Sequence, residues 1–115
     1  MEVIAPSDDR ILRITPTDDP PGLRLAGELD ATRHGELSEA LSSHVTEEGD
    51  VRLDLAGLTF IDLGALSLLT SFVESRGGTL RLVLDNLSPA VGNLIETVGW
   101  ERLPGLVQGQ RGTTS

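Results

Sequence analysis

Hydrophobic and polar side chains alternate in three short segments of the chain, at residues 23–29, 51–55 and 80–84. In the first of these segments the leucines fall on one face, whereas Arg24 and Glu28 fall on the other. A period of two residues is typical of a strand that buries one of its faces. Each segment therefore predicts a half-buried strand, and shorter apolar segments predict a further strand near each end of the chain.

The segments between these strands have a helical period instead. Residues at i, i+3, i+4 and i+7 form a stripe from Leu37, where the last position is His44, and an entirely apolar stripe from Val91, which predicts two amphipathic helices. Residues 64–75 are apolar around most of the helical circumference, which indicates a central helix or one that offers a face to a partner. We expect Asp30 or Thr32 to cap the first helix.

Other caps and glycines predict where the elements begin and end. Ser88 followed by Pro89 is a favourable helix start, and Gly99 is a favourable helix end. In the same way Gly49 is expected to end the first helix, and Gly57 is expected to form a turn after a strand. The predicted order is β-β-α-β-α-β-α, followed by a short last strand.

The charged faces of the strands distinguish between two kinds of sheet. A parallel sheet covered on both sides has continuously apolar strands, whereas these strands carry charge on one face. We therefore expect an α/β fold of two layers, similar to the α+β class, with a mixed sheet of four to five strands and the helices mainly on one face. Residues 10–107 form this domain in the prediction, with flexible tails at residues 1–9 and 108–115.

The composition of the chain argues against several classes of function. The chain has 115 residues and a net charge of -9, which argues against direct binding of nucleic acid, since that affinity comes largely from cationic side chains. No apolar run approaches the roughly 20 residues that cross a bilayer, and the N-terminus lacks the features of a signal peptide. We therefore expect a cytoplasmic protein with no membrane insertion.

The sequence offers little for catalysis. It has no cysteine, which excludes thiolate metal sites and cysteine nucleophiles. His34 and His44 lie about 15 Å apart along one predicted helix, too far to share a metal ion. Asp54, near a strand end, is a poor candidate for the phospho-acceptor of a receiver domain, because its side of the strand faces solvent and the chain has no lysine. We expect no catalytic residue, metal or cofactor.

Residues 59–66 form a loop that leads from a strand into the second predicted helix. The first backbone N–H groups of a helix have no partner within it, so they favour an acidic cap. Asp62 is placed to provide that cap. A hydroxyl at such a helix start would suit regulatory phosphorylation, but the next two residues, Leu63 and Gly64, carry none.

Two segments resemble motifs of the STAS domain family, typified by bacterial anti-sigma-factor antagonists. Residues 25–30 resemble the "xGELD" end of a strand, and residues 53–62 resemble "LDLSGLxFIDSSG". The two glycines at 77–78 and the helix start at 88–91 support the resemblance, which spans about residues 11–107. It implies the STAS fold, in agreement with the architecture predicted from periodicity.

The resemblance implies regulatory binding rather than catalysis. Antagonists of this family present the loop and helix around the motif to an ATP-binding anti-sigma kinase, and phosphorylation of a motif serine switches them off. By position, Asp30 and Asp62 match the two motif aspartates. Leu63 and Gly64 fall on the two hydroxyl positions, Gly64 stands where the family usually has its phospho-acceptor serine, and Ala65 replaces the motif glycine. We therefore expect partner binding without phosphorylation at position 64.

The resemblance leads to three hypotheses. In the first, the chain is an anti-sigma-factor-antagonist-like module in bacterial signal transduction, a monomer or weak homodimer that binds an anti-sigma factor or kinase-like protein and influences sigma-factor-dependent transcription. In the second, it is a STAS subunit of a lipid-transport ABC complex or of another signalling assembly. The third, an enzyme or nucleotide binder, has no catalytic constellation to support it. The expected partner-binding residues are Asp30, Thr59, Asp62, Leu63, Gly64 and Ser67.

Overall fold

The computed structural model describes residues 11–18, 21–45 and 49–110. Short 3-10 turns precede the first helix and follow the last one. The order of strands and helices agrees with the predicted order, including the short last strand. The strands are β1 (Arg13–Asp18), β2 (Pro21–Leu29), β3 (Gly49–Ile61), β4 (Leu80–Asp85) and β5 (Leu106–Gln108), and the helices are α1 (His34–His44), α2 (Leu63–Ser75) and α3 (Pro89–Val98).

The five strands form one mixed sheet in the order β1-β2-β3-β4-β5. β1 is antiparallel to β2, whereas the pairs β2–β3, β3–β4 and β4–β5 are parallel. Each parallel connection passes through one helix, as a crossover between parallel strands requires. The carboxyl ends of β2 and β3 therefore lie side by side, where Leu29 pairs with Ile61.

One face of the sheet and the inner faces of all three helices form a single hydrophobic cluster. The opposite face carries charged side chains that pair with one another, among them Arg52 with Asp85 and Arg81 with Asp50. The expected two-layer arrangement, with helices mainly on one face, is confirmed. The cluster includes Leu23, Leu25, Leu53, Leu55, Leu82 and Leu84 of the sheet and Leu37, Leu41, Leu66, Leu69, Val91 and Ile95 of the helices.

Gly57 lies within β3, so the predicted turn at this glycine is wrong. Arg24 pairs with Asp54, but Ala26 pairs with Gly57, so that β3 has one residue more than β2 in this interval. A β-bulge of this kind absorbs the extra residue without ending the strand. The Asp54 carboxylate stabilises the bulge by accepting a hydrogen bond of 3.0 Å from the backbone N–H of Ala56.

The first helix ends earlier than predicted. α1 stops at His44, where the N–H of Val45 donates to the carbonyl of Leu41 at 2.9 Å. Gly49 is the first residue of β3, and its N–H donates to the carbonyl of Thr79 at 2.8 Å. The glycine therefore starts a strand rather than ending a helix.

The C-terminal residues remain hydrogen-bonded beyond the predicted domain end. The N–H of Gly109 donates to the carbonyl of Leu84 at 2.8 Å, and the N–H of Asn86 donates to the carbonyl of Gln110 at 2.7 Å. These two bonds join residues 109–110 to β4 and to the residue after it, and the predicted domain end and flexible tail stay predictions. Residues 1–9 and 111–115 of the predicted tails lie outside the described residues.

Candidate functional site

Asp62 connects β3 to α2 and caps the helix. Its backbone is extended, and Oδ1 accepts a hydrogen bond of 2.8 Å from the N–H of Ala65. The N–H of Asp62 donates to the carbonyl of Leu29 at 3.2 Å, which anchors the cap to the neighbouring strand. A carboxylate here satisfies a helix N–H group and interacts favourably with the helix dipole. The predicted cap is confirmed.

The side chain of His34, the first residue of α1, lies against this cap. Its Nε2 is 2.8 Å from Oδ1 of Asp62. An ionised carboxylate can only accept hydrogen bonds, so the interaction requires a hydrogen on Nε2. The two side chains remain 28% and 26% exposed, respectively. The start of α1 is thus joined to the start of α2 by a bond that is still within reach of solvent.

Gly64, the second residue of α2, lies beside the Cε1 edge of the His34 ring. A Cβ atom at this position would come within 2.6 Å of Cε1 of His34, closer than real Cβ contacts. Gly35, the second residue of α1, has open space around it by comparison. The missing side chain at position 64 therefore makes room for the imidazole.

Asp30 follows the end of β2, as Asp62 follows the end of β3. Its Oδ1 accepts hydrogen bonds from the hydroxyl of Thr32 at 2.6 Å and from the N–H of Thr32 at 3.0 Å. The hydroxyl bond is the main reason that the pKa of Asp30 lies below its ordinary value; desolvation raises the pKa, whereas the N–H bond and the charge of Arg33 lower it further. Asp30 caps the 3-10 turn Ala31–Arg33 and so leads the chain towards His34.

The large hydrophobic side chains that the described residues leave exposed gather at this end of the sheet. Leu63 is 54% exposed, Phe60 is 44% exposed and Ile11 is 45% exposed. Phe60 pairs with Glu28 near the carboxyl end of β2, and a side chain at Gly27 would overlap the backbone carbonyl of Ile11. Exposed apolar groups at one end of a sheet are candidates for an interaction surface.

Two predicted residues have less specific surroundings. Thr59 is exposed, and its hydroxyl donates to the carbonyl of Gly27 at 3.1 Å. Ser67 is exposed on α2 one turn after Leu63, and therefore on the same face of the helix. The structure thus brings Asp62, Leu63 and Gly64 together at one helix start, with the other predicted residues around them.

His34 and Phe60 are absent from the predicted site residues. The glycine at position 64 indicates from the sequence that another group approaches closely at this point. Nothing in the sequence indicates that this group is the side chain of His34. His44 lies at the other end of α1, as expected from the spacing of the two histidines. Within the described ranges no group of three or more potential ligands is placed to hold a metal ion.

Comparison with known proteins identifies the family. The family model described as Mlab, STAS domain matches residues 12–108. The chain belongs to the STAS domain family. This STAS domain is similar to the crystal structure of an anti-sigma factor antagonist from Mycobacterium paratuberculosis, with a TM-score of 0.66 and 19% sequence identity over 84% of each chain. At this identity the likeness shows a shared fold, and the family model confirms the resemblance found in the sequence.

The remaining comparisons add two findings. No curated protein matches this STAS domain in sequence. Among its described helices, none is long and apolar enough to span a membrane.

Proposed function

We propose that this STAS domain is an anti-sigma-factor-antagonist-like binding protein. Its partner in this proposal is an anti-sigma factor or a kinase-like protein, through which it influences sigma-factor-dependent transcription in the bacterial cytoplasm. The observation that carries the proposal is the exposed Leu63, which immediately follows the capping Asp62. The fold shared with an anti-sigma factor antagonist supports the same function.

The proposed binding surface combines apolar area with fixed charge. We define it as Asp30, Thr59, Asp62, Leu63, Gly64 and Ser67. Full burial of one leucine side chain contributes about 1.5–3 kcal/mol, so Leu63 supplies affinity. The carboxylates of the surface supply specificity and a fast encounter with a complementary partner. Because position 64 carries no hydroxyl, binding at this surface has no phosphorylation control at that residue.

The test is a titration of the purified chain with the ATP-binding anti-sigma proteins of its source organism, followed by calorimetry. We expect wild type to bind one of them and Leu63→Asp to bind at least about tenfold more weakly. Ala90→Asp is the matched control, because it adds the same charge to the exposed first turn of α3. An acidic residue in a first turn does not destabilise a helix, so both variants should remain folded.

Two outcomes would contradict the proposal. One is that wild type binds none of the anti-sigma proteins, and the other is that Leu63→Asp binds as tightly as Ala90→Asp. Affinity capture from the native lysate then decides between the remaining hypotheses. Recovery of membrane transporter subunits would favour a STAS subunit of a lipid-transport ABC complex.

A further inference from the structure

The imidazole of His34 occupies the space that a side chain at position 64 would need. A Cβ atom at Gly64 would lie 2.6 Å from Cε1, 3.4 Å from Nε2 and 3.6 Å from Nδ1 of the ring. The ring would have to shift to admit that side chain, and its Nε2 is bonded to Oδ1 of Asp62. A side chain at position 64 therefore competes with the His34–Asp62 hydrogen bond for the position of the ring.

The same oxygen of Asp62 serves both helices. Oδ1 accepts one hydrogen bond from the N–H of Ala65 in α2 and a second from His34 of α1, each at 2.8 Å. A carboxylate oxygen has two lone pairs, so it can accept both. The second bond fixes the orientation of the carboxylate that the first one uses. For Nδ1 of His34 the described part of the chain provides no hydrogen-bond partner.

We propose that His34 is the positioning residue of the binding surface. It holds Asp62 in one orientation and occupies the space that a side chain at position 64 would need, so that the starts of α1 and α2 have a fixed arrangement before a partner binds. The partner then contacts the His34–Asp62 pair rather than a group on residue 64. A preset surface loses less conformational entropy on binding than a mobile one. This inference rests on the function proposed above.

The first test is independent of any partner. In the wild-type background Gly64→Ala must displace the imidazole, and we expect Tm to fall by about 5 °C. In a His34→Ala background the same change should raise Tm by about 2 °C, because alanine favours a helix more than glycine does. Gly35→Ala is the matched control, since it too is the second residue of a helix but has open space, and it should raise Tm in both backgrounds.

A spectroscopic readout separates positioning from simple packing. At mildly alkaline pH, where free histidine is neutral, nitrogen NMR of the His34 ring should show a single tautomer with the hydrogen on Nε2. Gly64→Ala should convert this signal into a mixture of tautomers. A mixture in the wild-type protein would overturn the inference, because the Asp62 bond would then not hold the ring.

Partner affinity completes the test. We expect His34→Ala and Gly64→Ala each to weaken binding about tenfold, and the double variant to bind no more weakly than either one. A Tm change for Gly64→Ala that is the same in both backgrounds would overturn the inference, as would wild-type affinity in His34→Ala. Failure of the wild-type protein to bind any anti-sigma protein would instead overturn the proposed function, and the Tm and NMR results would still show whether His34 and Gly64 are coupled.

Discussion

The guanidinium of Arg52 on β3 donates two hydrogen bonds to the carboxylate of Asp85 on β4, at 2.8 Å and 2.9 Å. The Asp85 side chain is only 11% exposed, and its Oδ1 also accepts a hydrogen bond of 2.7 Å from the N–H of Gln110. The pair thus joins two central strands on the charged face of the sheet and holds the residues that follow β5.

Removal of the Asp85 carboxylate should be strongly destabilising. We expect Asp85→Ala to lower the free energy of unfolding by about 2 kcal/mol, because the guanidinium of Arg52, which is 30% exposed, and the N–H of Gln110 both lose their acceptor. Asp50→Ala is the matched control. Asp50 has the same two-bond geometry with Arg81, but both side chains are about half exposed, so the loss should be below about 1 kcal/mol. Urea unfolding measures the loss of stability in both variants. Equal losses would show that burial does not make the Arg52–Asp85 pair more important for stability than the exposed Arg81–Asp50 pair.

Gly27 should tolerate no side chain. Its φ is 98°, and a Cβ atom would overlap the carbonyl of Ile11, whereas Gly49 has a similar φ of 93° and open space. An L-residue in a left-handed conformation costs about 1–2 kcal/mol, which is the loss of unfolding free energy expected for Gly49→Ala. Gly27→Ala should lose at least about 2 kcal/mol more, because the backbone beside β2 must also move. Similar losses in the two variants would show that conformation rather than close approach selects glycine at position 27.

Much of the fold can be predicted from the sequence, because the alternation of neighbouring residues shows which face of each strand is buried. Arg24 and Arg52 stand on the opposite face from their leucine neighbours, as the alternation predicts. The bulge before Gly57 has no comparable signal. Leu58 and Ile61 are buried three residues apart beyond it, so the simple alternation ends there although the strand continues. A local pattern cannot distinguish this from a turn.

The candidate site, too, is only partly predictable from the sequence. Asp62 is predictable as a cap because a cap bonds to a backbone group three residues later in the chain. The role of His34 depends on a residue 28 positions away, and it becomes visible only when α1 and α2 are placed side by side. The sequence shows that contact only through the glycine at position 64, which leaves room for the imidazole.

Asp54 should make stability depend on acidic pH. Burial tends to raise its pKa, but hydrogen bonds from Asn86 and the N–H of Ala56, together with the charge of Arg24, outweigh this and lower the pKa. A carboxyl group with a lower pKa in the folded state stabilises the fold above its unfolded-state pKa of about 3.9, and this stabilisation is lost as pH falls through the folded-state value. The wild-type protein should therefore lose more unfolding free energy than Asp54→Asn between about pH 5 and about pH 3. Equal losses in urea titrations at the two pH values would contradict the assignment.

Two substitutions at Asp62 separate capping from charge. Asparagine is as good a cap as aspartate, so we expect the unfolding free energy of Asp62→Asn to remain within about 0.5 kcal/mol of wild type. Asp62→Ala removes the acceptor for both Ala65 and His34 and should lose about 1–2 kcal/mol. Ser88→Ala, which removes the cap of α3, is the control for the loss of a cap far from the proposed surface.

Partner affinity should order these three variants differently. Because the charge of Asp62 takes part in recognition in the proposed function, we expect Asp62→Asn to bind the anti-sigma partner about tenfold more weakly than wild type although it is equally stable. Ser88→Ala should bind as wild type does although it is less stable. Calorimetric titration at one temperature, well below every Tm, compares them directly. Wild-type affinity in Asp62→Asn would show that Asp62 contributes to the surface through its cap and its bond to His34, and not through its charge.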